Sequence, residues 1–124
     1  IDLRTYTIAA AHAQLAYIDL LSWEFAMQSD GLPDTESDRL LSESATNFDR
    51  SLSLLLPYQS EPSSRTLAEN IAVHSIYTFC LADHQELVQK HMNNYAALAV
   101  PWSREEIAAG IDVLSPELRE ECGV

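Results

Sequence analysis

Between Tyr6 and Met27 the chain reads YTIAAAHAQLAYIDLLSWEFAM, apolar almost all the way round when wound as a helix. A helix with no broad polar face belongs inside a bundle or at an interface between proteins. Asp2 stands where a cap is needed, which predicts a helix from about Leu3 to Gln28. The next residues, SDGLPD, form a turn in which Gly31 can end the helix and Pro33 cannot continue it.

The remaining segments also carry helical periods. From about Asp34, with acids in the first turn, Leu41, Ala45, Phe48, Leu52, Leu55 and Leu56 recur on one side. Ser42, Glu43, Asp49 and Arg50 fall on the other, so SESATNFDRSLS reads as a solvated face. Pro57 stops this second helix, and PYQSEPSSR reads as a polar loop. Thr66 with Glu69 has the pattern of a capping box opening a third helix, expected to run to about Ala99 unless Asn93–Asn94 breaks it. Ser103 with Glu106 predicts a fourth helix from Arg104. Ser115 followed by Pro116 predicts a short fifth one through Glu121. Only three glycines are present and no alternating apolar–polar run exceeds a few residues, which argues against a sheet. The expected fold is all-α: one domain over residues 1–124, a small bundle of three main helices with up-down connections, plus one or two short C-terminal helices. At 124 residues such a chain can bury a core without staples.

A net charge of −12 repels nucleic-acid phosphates and anionic lipid, and suits a basic protein partner met with electrostatic steering. No run of eighteen apolar residues exists to span a membrane. The chain begins at Ile1 instead of a methionine, as in a processed protein or a piece of a longer one. The missing signal peptide therefore weighs little, and a cytoplasmic location is the expectation. Cys80 and Cys122 make neither a disulfide framework nor a zinc motif, and both are expected as reduced thiols.

The stretch VHSIYTFCLADHQELVQKHMNNY, Val73 to Tyr95, holds three of the four histidines. On one continuous helix Tyr77, His84, His91 and Leu98, spaced by seven, lie on one line, flanked by Val73, Cys80, Leu87, Val88 and Tyr95. His84 and His91 are then expected to be buried and neutral. The first helix has a matching pair in His12 and Asp19. Asp19, set in AYIDLLSW, must find a partner or titrate abnormally. If the first and third helices pack together, His12, Asp19, Tyr77, His84 and His91 can share an interior polar pocket able to bind a small molecule or exchange protons. The plainer reading, that these are satisfied core groups, carries more weight. No metal or other cofactor is expected: ligands on helices usually stand three or four residues apart, whereas seven residues separate them by about 10.5 Å. Nor does the chain contain a phosphate-binding glycine loop, a nucleophile elbow or a zinc-protease motif. Trp23 and Trp102 read as anchors of the core and of the tail.

The sequence therefore points first to a non-enzymatic α-helical interaction or regulatory module that binds another protein, a basic one by charge, or a second copy of itself. A small-molecule-binding or catalytic bundle built on the histidine stripe is the alternative.

Overall fold

The computed structural model describes residues 1–95 and 104–124, and among these every regular element is helical. The order is α1 (Leu3–Gln28), α2 (Asp34–Leu55), a 3-10 turn (Leu56–Tyr58), α3 (Pro62–Leu81), α4 (Gln85–Tyr95), α5 (Arg104–Leu114) and α6 (Pro116–Cys122). None of the described helices is long and apolar enough to cross a membrane.

The first two helices are set by their ends. Asp2 accepts hydrogen bonds from the Thr5 amide at 2.7 Å and the Thr5 hydroxyl at 3.0 Å, so the predicted cap is in place. At the other end Gly31 adopts φ +78° and its amide reaches the Ala26 carbonyl at 2.8 Å, the left-handed closure that glycine permits. α2 then runs back along α1. Their inner faces meet through small residues: Ala9, Ala13 and Ala16 of α1 against Ser44, Ala45 and Ser51 of α2, all buried. Ser44 Oγ donates to the Ala16 carbonyl and Ser51 Oγ to the Ala9 carbonyl, each at 2.8 Å. Together with Trp23 Nε1 donating to Ser37 Oγ, these pairs fix the two helices antiparallel. Thus SESATNFDRSLS is not simply a wet face. Ser42 and Glu43 are exposed, but Ser44 and Ser51 are buried and bonded across the seam.

α3 starts earlier than the capping pattern suggested. Pro62 occupies its first turn, where its fixed φ is already helical and its missing N–H costs nothing. Glu69 does not reach back to Thr66. It pairs instead with Arg65 one turn before it, at 3.0 Å. The larger correction lies at its end. The expected continuous helix through His84 breaks after Leu81, because Asp83 takes a left-handed φ of +58°. The His84 amide then closes back on the Phe79 carbonyl at 2.8 Å and the Asp83 amide on Cys80 at 3.1 Å. This is the hydrogen-bond pattern of a left-handed helix stop, and aspartate is among the few non-glycine residues that adopt it readily. The asparagine pair does not interrupt α4. Leu98, the expected helix end at Ala99, Trp102 and the Ser103 cap lie outside the described residues.

The tail packs on α3. Ile107, Ala108 and Ile111 of α5 are buried, and a side-chain carbon at Gly110 would stand 2.7 Å from a Val73 methyl. Cys122 at the end of α6 is bonded to Cys80 on α3, with Cα atoms 5.3 Å apart. Reduced thiols were expected. The break at Asp83 and the return of the tail bring two cysteines, 42 residues apart, within bridging distance, and no free cysteine remains.

Two outcomes follow from this packing. The unreduced protein should weigh two hydrogens less than the dithiol form in a mass spectrum. Reducing it, or making Cys122→Ser, should cost about 4 kcal/mol of stability in a denaturant titration on the loop-entropy scale. Gly110→Ala should also destabilise, by about 1–2 kcal/mol, because the stiff valine cannot retreat, although alanine in an open helix would stabilise.

Candidate functional site

The five side chains expected to converge are held in separate places. His12 lies on the flank of α1 toward α2, where Nδ1 meets Asn47 Oδ1 at 2.8 Å. Asp19 lies on the same flank, half-buried; burial first and then the Glu43 carboxylate raise its pKa, with Arg39 working against both. Tyr77 sits on the opposite side of α1, its hydroxyl pKa raised by burial and then by the Glu24 carboxylate. It lines an open cleft of about 330 Å³ with Trp23, Glu24, Met27, Gln28 and Leu114. Beside it Tyr17 contacts the ring of His74, hydroxyl to Nδ1 at 3.2 Å. Burial lowers the His74 pKa, partly offset by Glu24.

His84 and His91 part company at the break. His84 is in the turn, partly exposed, and bonds to Glu86 at 3.0 Å. The expectation of a buried His84 therefore fails, since its place on the inner line required a helix that does not continue. His91 is fully buried as expected, with its ring stacked on Phe79, centroids 5.5 Å apart. Its Nε2 lies 2.7 Å from Asp49 Oδ1; a carboxylate only accepts, so this nitrogen carries the proton. Lys90 Nζ reaches the same oxygen at 2.8 Å and Ser53 Oγ at 3.1 Å. Burial lowers the His91 pKa, and Asp49 only partly restores it. Burial pushes Asp49 up, but the hydrogen bonds from Lys90 and His91 prevail and hold it below the ordinary carboxylate range. The period of α2 alone puts Asp49 on its wet face. Nothing in its spacing identifies a histidine 42 residues later as its partner; only the turn at Asp83 aims α4 back at α2. Among the described residues no three His, Cys, Asp or Glu side chains gather where a metal ion could sit.

The most unusual surface lies elsewhere. With Ala9, Ala13, Ala16 and Leu20 turned inward, the opposite side of α1 faces out. Ile8 is 40% exposed, Leu15 50%, Ile18 and Leu21 59%, and Phe25 75%. These side chains follow one another along about 26 Å of helix. No charged residue interrupts the outward row between Arg4 and the turn at Asp30. The all-round apolar sequence signalled that α1 needs cover on more than one side. It did not say which side the chain itself covers, because that depends on which small residues seat α2.

Comparison with family models, with curated proteins and with solved structures finds no match to this chain.

The His91–Asp49 contact sets an acid response. A folded-state pKa below the unfolded value of about 6.5 means that the unfolded chain binds the extra proton first. The native state therefore loses stability as pH falls below 6.5, and Asp49 adds a second loss below about 3.8, its ordinary value. Melting curves from pH 8 to 5 should show falling stability for the wild type and a flatter response for His91→Gln. Equal slopes would mean that His91 is solvated.

Proposed function

We propose that this chain is a non-enzymatic interaction module whose docking surface is the outward face of α1. One observation carries the reading: a continuous, uncharged apolar row on the longest of the described helices, in a chain with a net charge of −12. Single exposed apolar residues are ordinary, but a contiguous patch of this kind usually marks an interaction site. The seam with α2 holds the helix rigid, so the row is presented as a preformed ridge with little ordering cost on binding. The partner is a complementary apolar surface, either on another protein or on a second copy of the chain.

A pocket built on His12, Asp19, Tyr77, His84 and His91 has less support, because each of these side chains has its own separate neighbours. The acidic charge still favours basic partners at long range. The bridge weighs against the expectation of a cytoplasmic location. A bridged Cys80–Cys122 pair supports residence in an oxidising environment, where such bonds persist.

The test is a double substitution, Leu15→Glu with Ile18→Glu. Both positions are exposed, so the variant should keep its helical circular dichroism and melt within about 0.5 kcal/mol of the wild type. It should no longer retain the proteins that the wild type retains, itself included, in a capture experiment from the native source. Identical capture by the two proteins would rule out α1 as the docking surface.

A further inference from the structure

We propose that the occupant of the α1 face is a second copy of this chain, paired antiparallel so that Ile8 lies opposite Phe25 of the partner subunit, Ala11 opposite Ser22 of the partner subunit, and Leu15 opposite Ile18 of the partner subunit. The inference rests on the docking reading above and adds the partner and its register. Ile8, Leu15 and Ser22 are spaced by seven residues, as are Ala11, Ile18 and Phe25. These two interleaved sevenfold rows make a coiled-coil seam, and both are exposed.

Reversing one copy about a point between Ala16 and Tyr17 maps each row onto the other, which is the self-complementarity that a twofold interface requires. Large residues then meet large ones at both ends and in the middle, and the two smallest residues meet between them. Ser22 does not obstruct this. Its hydroxyl already donates to the Ile18 carbonyl at 2.7 Å, so burying it leaves no unsatisfied donor.

Charge selects the orientation. Arg4, at the end of the row, has no ion-pair partner among the described residues. A parallel pair would set Arg4 beside Arg4. The antiparallel pair sets it beside the partner's Asp30 and beside the negative end of the partner's helix dipole. A basic partner finds little to recognise along the row itself, because no carboxylate faces outward there. Taking roughly 100 Å² for each of Ile8, Leu15, Ile18 and Phe25, and for Leu21 at the edge of the seam, two copies withdraw at most on the order of 1,000 Å², about the minimum for a specific interface.

Sedimentation equilibrium from about 1 μM to 1 mM should show a monomer–dimer equilibrium, and Ile18→Glu should raise its dissociation constant more than about 100-fold, since the glutamate must be desolvated without a counter-ion. Single variants Ala11→Cys and Ser22→Cys then report the register. The native cysteines are bonded to each other, so the introduced thiols are free to react with a short bis-maleimide. Cross-linked dimer should form when the two variants are mixed and not when either is treated alone. Cross-linking of Ala11→Cys with itself would overturn the antiparallel register. A wild type that stays monomeric to the highest concentration would overturn self-pairing altogether. The broader docking reading would survive that result, and fails only if capture by wild type and by the Leu15→Glu, Ile18→Glu variant is the same.

Discussion

The alanine–serine seam between α1 and α2 decides where everything else can go. Two serine hydroxyls donate to carbonyls of the facing helix, and the alanines beside them leave room for the backbones to come close. Each bond contributes only about 1 kcal/mol net, yet together they fix both the register and the rotation of α1. A helix seated on its small residues must point its large ones elsewhere. Leu20 goes inward at the end of the row, while Leu15, Ile18 and Phe25 turn to solvent. The exposed row is thus the direct counterpart of the close packing behind it.

The second governing feature is the stop at Asp83. One residue with a positive φ ends α3 and redirects the chain, so that α4 lies where His91 meets Asp49 of α2. The same stop leaves Cys80 near the end of α3, within reach of Cys122. Fully burying an imidazole is costly unless it is bonded, and the Asp49 carboxylate, neutralised further by Lys90, provides the acceptor. The arrangement reads as a structural tie between α2 and α4 with an acid-sensitive component.

Much of this architecture is legible in the residues. Asp2, Gly31, Pro33 and Pro57 mark helix ends by chemistry local to each, and local chemistry survives in any fold. The buried face of α2 follows from its 3.6-residue period, with Leu41, Ala45, Phe48, Leu52 and Leu55 all inside, while Leu56, expected with them, lies in the 3-10 turn and is only half-buried. The Asp83 stop is not legible because aspartate adopts the left-handed region only when the surroundings favour it, and ADHQ carries no glycine to announce the turn. Placing His84 inside follows from that omission, whereas the cysteines read as reduced because two of them make neither a disulfide framework nor a zinc motif. Ser44 and Ser51 were read as surface for a different reason: a serine that bonds across a close helix pair looks, in one dimension, like a serine that bonds to water. The interior pocket likewise needed a continuous third helix facing α1. The break instead sends His91 to α2, and of Tyr77, His84 and His91 only Tyr77 stays beside α1.

The distribution of charge completes the case for α1. A chain with nineteen acids and seven bases resists association in general, and most of its acids are spread over α2, the loops and the two C-terminal helices, with Glu69 on α3 and Glu86 on α4. The acids that α1 does carry are turned aside: Asp19 toward Arg39 and Glu43 of α2, and Glu24 toward Tyr77 and His74 of α3. Clearing carboxylates from one face in so acidic a protein does nothing for solubility, and the core does not need it, because that face is outside. It is what the proposed docking requires, since an apolar ridge can be desolvated cheaply while a flanking carboxylate cannot. At physiological ionic strength the Debye length is about 8 Å, so repulsion between the acidic remainders of two copies is largely screened once the ridge itself is neutral.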